Sequence, residues 1–226
     1  MDVFLNQIRA FQVLSRENFS EVMASSCEKT FQRSETIFKE GEPSHSVWLV
    51  KEGWVHLVKT SLDGKINIIF TMSPHEILCG VSAFDQGPYA ADGIAATECS
   101  VIQVPSKIFV SLLENDAQFC REVLSICSVR IRKMAQKLAE VTDPVSKRIA
   151  RVLLASLVDF QHEIPLTHRE ISQMIGARVE TSIRTFRALR EKGLIHIKRS
   201  QIEILKPMAL VRELNHWIES DIDHEK

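Results

Sequence analysis

The chain has 226 residues, 45% hydrophobic and 25% charged, with a net charge of −1. This is the composition of an ordinary globular protein, and no apolar run approaches the ~20 residues of a membrane span. The charge is unevenly placed: residues 144–205 carry eleven Lys or Arg against six Asp or Glu, so the remainder is net acidic and only the C-terminal part suits a polyanion.

The start, MDVFLNQIRAFQVL, lacks the basic segment, apolar stretch and small-residue cleavage site of an export signal. It reads as a short amphipathic helix; residues 1–30 are expected to be helical and the protein to be cytoplasmic. From Phe31 the texture changes. Thr36 to Phe38, Val47 to Val50, Trp54 to Val58 and Ile66 to Phe70 read as strands, with turns at Gly41-Glu42-Pro43, Glu52-Gly53 and Asp63-Gly64. Ile77-Leu78, Gly93 to Ala96 and Ser100 to Val104 continue the series. Many short strands punctuated by Gly and Pro predict an antiparallel barrel or jelly roll.

After Pro105 the pattern turns helical. Ser106 is expected to cap a short helix through Leu113, and Asn115 a long one from about Ala117 to Val141. In the long helix Leu124, Cys127, Ile131, Met134, Leu138 and Val141 follow a heptad seam, in phase with Cys120. Such a seam suits pairing with a second copy across a two-fold axis, though it could also pack on the chain's own sheet. The five cysteines, Cys27, Cys79, Cys99, Cys120 and Cys127, are widely spaced without a CxxC pair and read as buried free thiols.

Asp143-Pro144 marks a boundary. It divides the chain into a β-domain with an N-terminal helix (1–114), a dimerisation helix (115–143) and a C-terminal domain (144–226). Val145 to Phe160 is an amphipathic helix, and Ile164 to Leu166 a short strand. The segment THREISQMIGARVETSIRTFRALREK follows. Thr167 and Glu170 form a capping box, Gly176 ends the first helix, and a second runs from about Val179 to Lys192 with Ile183, Phe186 and Leu189 facing inward. Gly193 closes it. Leu194 to Ile197 and Ile202 to Leu205 then flank a basic tip, Lys198-Arg199-Ser200-Gln201. Helix, turn, helix and basic hairpin together predict a winged helix-turn-helix for double-stranded DNA. On the second helix Glu180, Thr181 and Arg184 are the candidate base readers, since Arg can bond guanine and Glu can accept from cytosine or adenine amino groups. An i,i+4 pair between Glu180 and Arg184 would orient the guanidinium. Thr167, His168, Arg169, Arg178, Arg187, Lys198 and Arg199 are candidate phosphate contacts.

In the order of its parts the whole chain resembles the catabolite-activator/FNR family of transcription regulators. The resemblance rests on FKEGEPSHSVWLVKEGWVHLVK, SLDGKINIIF and HEILCGVSAF, then the long helix, DPVSKRIARVLLASL and LTHREISQMIGARVETSIRTFRALREKGLI. It implies an α+β protein: a cyclic-nucleotide-binding-like β-roll, a dimerisation helix and a winged helix-turn-helix. It also implies a homodimer on a palindromic operator, RNA polymerase as a protein partner, and a small-molecule effector between roll and long helix. Glu180 and Arg184 match the family's base-reading positions, and the Val-Glu-Thr order resembles the FNR branch. The effector pocket would be formed by Gly80, Val81, Ala90, Ala91, Lys133 and Met134. Val81 and Ala90-Ala91 stand where the cyclic-nucleotide cassette has Glu and Arg-Ser, so cyclic AMP lacks its phosphate partner. Cys79 matches a haem-ligating Cys of the carbon-monoxide sensor, but Val81 replaces the nearby His. An iron–sulfur cluster needs N-terminal cysteines, of which there is only Cys27. None of these three chemistries finds its full set of residues here, and the effector is a small molecule of unknown class. No Walker loop, G-x-S-x-G, H-E-x-x-H or dinucleotide fingerprint occurs. The alternatives are a β-roll module acting on a partner protein, and an enzyme without a recognisable motif.

Overall fold

The computed structural model describes residues 1–214 and divides into two units, Met1–Lys59 with Ile69–Ala135, and Thr60–Ile68 with Gln136–Lys226. Residues 215–226 of the predicted C-terminal domain lie outside the described residues.

The first unit opens with three short helices, α1 (Asp2–Leu5), α2 (Arg9–Gln12) and α3 (Arg16–Ser25). Extended backbone at Ile8 interrupts them, and Ser15 caps α3 by accepting the Asn18 N–H. The helical expectation fails at Cys27–Phe31, which is strand β1. It is an edge strand beside β8 with four exposed side chains, so no apolar alternation marks it in sequence. β2 (Thr36–Phe38), β3 (Ser46–Glu52), β4 (Val55–Thr60), β5 (Ile66–Met72), β6 (Ile77–Leu78), helix α4 (Gly80–Phe84), β7 (Asp92–Ala95) and β8 (Cys99–Pro105) follow. Two four-stranded sheets result, in the orders β1-β8-β3-β6 and β2-β7-β4-β5.

Side-chain alternation on β3 and β8 separates two cores. Val47, Leu49, Ile102 and Val104 pack with Phe11, Phe109 and Phe119 from the helices. Trp48, Val50 and Val101 point the other way, into the roll, with Phe38, Met72 and Tyr89. With both faces covered, β3 reads as the unbroken apolar run Val47 to Val50.

Helix α5 (Ser106–Asn115) leads into the long α6 (Ala117–Ala139). Neither expected cap is used. Ser106 donates its hydroxyl to Ser44 O at 2.5 Å, and Pro105 holds the N-cap position of α5. Asn115 turns back to Ser111 O, while Asp116 Oδ1 accepts the N–H groups of Gln118 and Phe119 at 3.0 Å each. An Asp one residue nearer the helix reaches its second and third amides, and its charge also suits the helix N-terminus. Helix α6 ends at Ala139, so Val141 lies beyond it. One face of α6 buries Phe119 and Val123 on the chain's own core, while Leu124, Ile131 and Leu138 are 60%, 66% and 75% exposed.

The second unit contains α7 (Val145–Phe160), β9 (Glu163–Ile164), α8 (His168–Met174), α9 (Val179–Glu191), β10 (Ile195–Ile197) and β11 (Ile202–Ile204), the strands pairing in the order β10-β11-β9. Ile149, Leu153, Ile171, Phe186, Leu189, Ile195 and Ile202 form its core. The fold is α+β: an N-terminal β-roll and a C-terminal winged helix-turn-helix. Among the described residues no helix is long and apolar enough to cross a membrane.

Candidate nucleic-acid interface

The helix-turn-helix is built from local hydrogen bonds. Thr167 Oγ1 accepts the Glu170 N–H at 3.1 Å, and Glu170 Oε2 accepts the Thr167 N–H at 2.7 Å, closing the capping box of α8. Gly176 makes the turn at φ +65°, with nothing within 4 Å of a Cβ placed there; the backbone conformation alone calls for glycine. Arg148 of α7 donates to Asp143 O at 3.0 Å and to Ile175 O at 2.5 Å, taking up a carbonyl at the end of α8.

Ser182, Phe186 and Leu189 form the buried face of α9. The inward position expected for Ile183 belongs to Ser182, and Ile183 is 46% exposed. Ser182 donates its hydroxyl to Arg178 O at 3.3 Å, so a buried polar residue needs no partner outside its own helix. Its small side chain also permits close packing, a signal that hydrophobicity alone misses.

The outward face carries Glu180, Ile183, Arg184 and Arg187, all exposed, with Thr181 half-buried at its border. Arg187 pairs with Glu191 at 2.9 Å. The expected Glu180–Arg184 pair is not formed among the described residues, and both side chains stand uncommitted. Arg169, Arg178 and Arg199 are also exposed. His168 is half-buried with its ring edge-on to Phe186 at 6.2 Å, and Thr167 is engaged in the capping box. Lys198 is held by Glu163 at 2.8 Å and Glu203 at 3.1 Å. Hydrogen bonds to those carboxylates raise the Lys198 pKa, and the bond from Lys198 lowers that of Glu163. The least committed cation at the wing tip is thus Arg199.

The candidate effector residues are scattered in character. Gly80 is buried, and a Cβ there would meet the Phe109 ring at 3.3 Å. Val81, Ala90, Lys133 and Met134 are exposed, and Ala91 is half-buried. Lys59, near Ala90, is committed to Glu40 and to Ala90 O. A buried aromatic cluster packs inside the roll. Tyr89 OH donates to Ser46 O at 3.0 Å and accepts from Trp48 Nε1 at 3.1 Å, and the Phe38 and Tyr89 ring centres lie 4.5 Å apart. A Cβ at Gly93 would strike the Phe38 ring at 2.4 Å. A cavity of about 910 Å³ lies elsewhere on this unit, lined by His45, Pro88, Ser106 and Val110 among others.

Three further side chains belong to this unit. Cys79 holds the N-cap position of α4, and burial pushes its thiol up to about 12 although Arg130 pulls it down. Arg130 of α6 is half-buried and donates to Ile77 O; burial lowers its pKa against the opposing pull of Glu76, Cys127 and Cys79. His75 stacks on Phe4 with ring centres 5.3 Å apart, its Nε2 2.8 Å from Gln7 Oε1.

Comparison with known proteins matches both units. The family model of the cyclic nucleotide-binding domain covers residues 28–116, and that of the Crp-like helix-turn-helix domain covers residues 147–213. A CRP-like cAMP-activated global transcriptional regulator of Mycobacterium tuberculosis is 25% identical over 224 residues, covering 94% of this chain and 99% of that one. The transcriptional activator FnrA of Stutzerimonas stutzeri is 25% identical over 191 residues, with 80% and 78% covered. The crystal structure of a CRP-family transcriptional regulator from Thermus thermophilus superposes with a TM-score of 0.71 at 25% identity, covering 83% of this chain and 96% of that one. With both domain models matched in family order, and with relatives along nearly its whole length, the chain belongs to the CRP/FNR family of transcription regulators, with a helix-turn-helix DNA-binding domain.

Proposed function

We propose that the protein works as a cytoplasmic homodimer. Helix α9 of each protomer enters the major groove of one half of a palindromic operator, and an effector other than a cyclic nucleotide acts at the β-roll. The observation that carries the DNA reading is the outward face of α9. Its Glu180 and Arg184 are exposed and unpaired among the described residues, while the opposite face is anchored by Phe186 and Leu189. An exposed Glu amid so much positive charge would be repelled by phosphates, and it makes sense as a reader of base amino groups. Arg184 reads guanine and Glu180 the neighbouring pairs, with Thr181 beside them. Arg169, Arg178, Arg187 and Arg199, with lesser parts for Thr167, His168 and Lys198, meet the backbone and set the register. RNA polymerase is the protein partner, and the protein acts by binding rather than catalysis.

The residues of the roll do not fit a cyclic nucleotide in the family's usual mode. Val81 and Ala90-Ala91 offer no charge, Lys59 is already paired, and Tyr89, Trp48 and Phe38 occupy the interior. An anion buried there would lack a counter-charge. They do not supply the sensor's haem pair either, since Val81 stands where the nearby His would be and His75 is engaged by Phe4 and Gln7. Cys27 alone does not make an iron–sulfur site.

Binding-site selection on the wild type and Arg184→Ala tests the DNA reading. The variant is expected to lose ~1–3 kcal/mol and to relax selection at one base position of each half-site. An unchanged sequence preference would overturn the placement of α9.

A further inference from the structure

We infer that Ile183 reads the C5-methyl group of a thymine next to the base pair that Arg184 contacts. The inference rests on the placement of α9 in the major groove. A single exposed aliphatic side chain is ordinary on a protein surface; the position of this one gives it content. Glu180, Ile183, Arg184 and Arg187 follow the i, i+3, i+4, i+7 spacing that puts side chains on one face of a helix. Ile183 is 46% exposed within that charged face, whereas the other large apolar side chains of α9 described as buried, Phe186 and Leu189, anchor the opposite side. Any helix that offers Glu180 and Arg184 to base edges must carry Ile183 into the same groove.

The groove then decides what Ile183 can recognise. Base edges in the major groove present donors, acceptors and one apolar group, the thymine methyl. Isoleucine cannot bond the first two. Set against the cytosine amino group it would strip water from a donor and return nothing, which is unfavourable. Set against thymine it buries methyl on methyl. Branching at Cβ restricts its rotamers, so little freedom is lost on contact. Ile183 therefore selects thymine both by attraction and by excluding cytosine.

The test uses the full-length protein and its selected operator, with each thymine replaced in turn by deoxyuridine, which lacks only the methyl group. At one position in each half-site the replacement is expected to weaken wild-type binding about fourfold per half-site, the worth of one buried methyl. Ile183→Ser should be indifferent to the same replacement, and should accept cytosine there more readily. Ile183 is exposed, so the variant should melt with the wild type, and the deoxyuridine scan on the wild type needs no variant. Equal wild-type binding to thymine and deoxyuridine operators would overturn the inference, as would an undiminished deoxyuridine effect in Ile183→Ser. If Arg184→Ala still relaxes selection while deoxyuridine has no effect, the Ile183 inference fails alone. If neither substitution alters selection, the placement of α9 fails and takes Ile183 with it.

Discussion

At Cys79 burial outweighs a neighbouring cation. Its thiol, with an ordinary pKa of 9.0, is pushed up to about 12 despite Arg130. Between those values the unfolded chain releases a proton that the folded chain keeps. The contribution to stability is complete below the unfolded pKa and is lost as pH rises from there through the folded one. Thermal melting should therefore fall as pH rises from about 9 towards 12, and less steeply in Cys79→Ala. Cys99, pushed up to about 11 by burial, would supply the slope that remains. Parallel curves for the two proteins would show that Cys79 is not part of the effect. On the wing, the two basic residues differ in their commitments. Lys198 already faces Glu163 and Glu203, while Arg199 is exposed. Arg199→Ala should weaken binding to all sequences and reduce the salt slope by about one unit, with a smaller effect for Lys198→Ala. A salt titration by fluorescence anisotropy decides the order; a larger loss for Lys198→Ala would reverse it.

At the scale of elements, α6 presents the clearest unpartnered surface. Leu124, Ile131, Met134 and Leu138 are exposed on one side while Phe119 and Val123 serve the chain's own core on another. A stripe exposed in the single chain is what self-pairing across a two-fold axis requires, and packing on the chain's own sheet would have covered it. Ile131→Asp or Leu138→Asp should split the dimer by placing unpaired charge in the seam, at a cost of several kcal/mol. Sedimentation of an unchanged dimer in both variants would remove the seam from the interface. The same elements show what sequence patterns carry. The strands of the roll and the capping box of α8 were legible because turn residues, alternation and the Thr167/Glu170 spacing are local signals. Strand β1 was not, since an edge strand with exposed Cys27, Glu28, Lys29 and Thr30 has no buried face to announce it. Ser182 takes the buried position expected of Ile183 because helix packing rewards a thin side chain, which periodicity does not register. The plug of Phe38, Trp48 and Tyr89 joins residues from three separate segments, and no single window of sequence contains it.

For the whole molecule, that plug bears on what the protein senses. Isothermal calorimetry with cyclic AMP at submillimolar concentrations is expected to give no saturable heat. A micromolar isotherm would overturn this, and Arg130, half-buried beside Cys79 where Lys133 is exposed, would then be the cation to substitute. The remaining consequence concerns mechanical slack. One guanidinium, that of Arg148, grips the carbonyl of Asp143 just after the long helix and the carbonyl of Ile175 at the turn before α9. Arg151 pairs with Asp143 from the adjacent turn of α7. The joint and the reading head thus share a fastener. Loss of that one side chain would free both carbonyls at once, so Arg148→Ala should loosen the two attachments together.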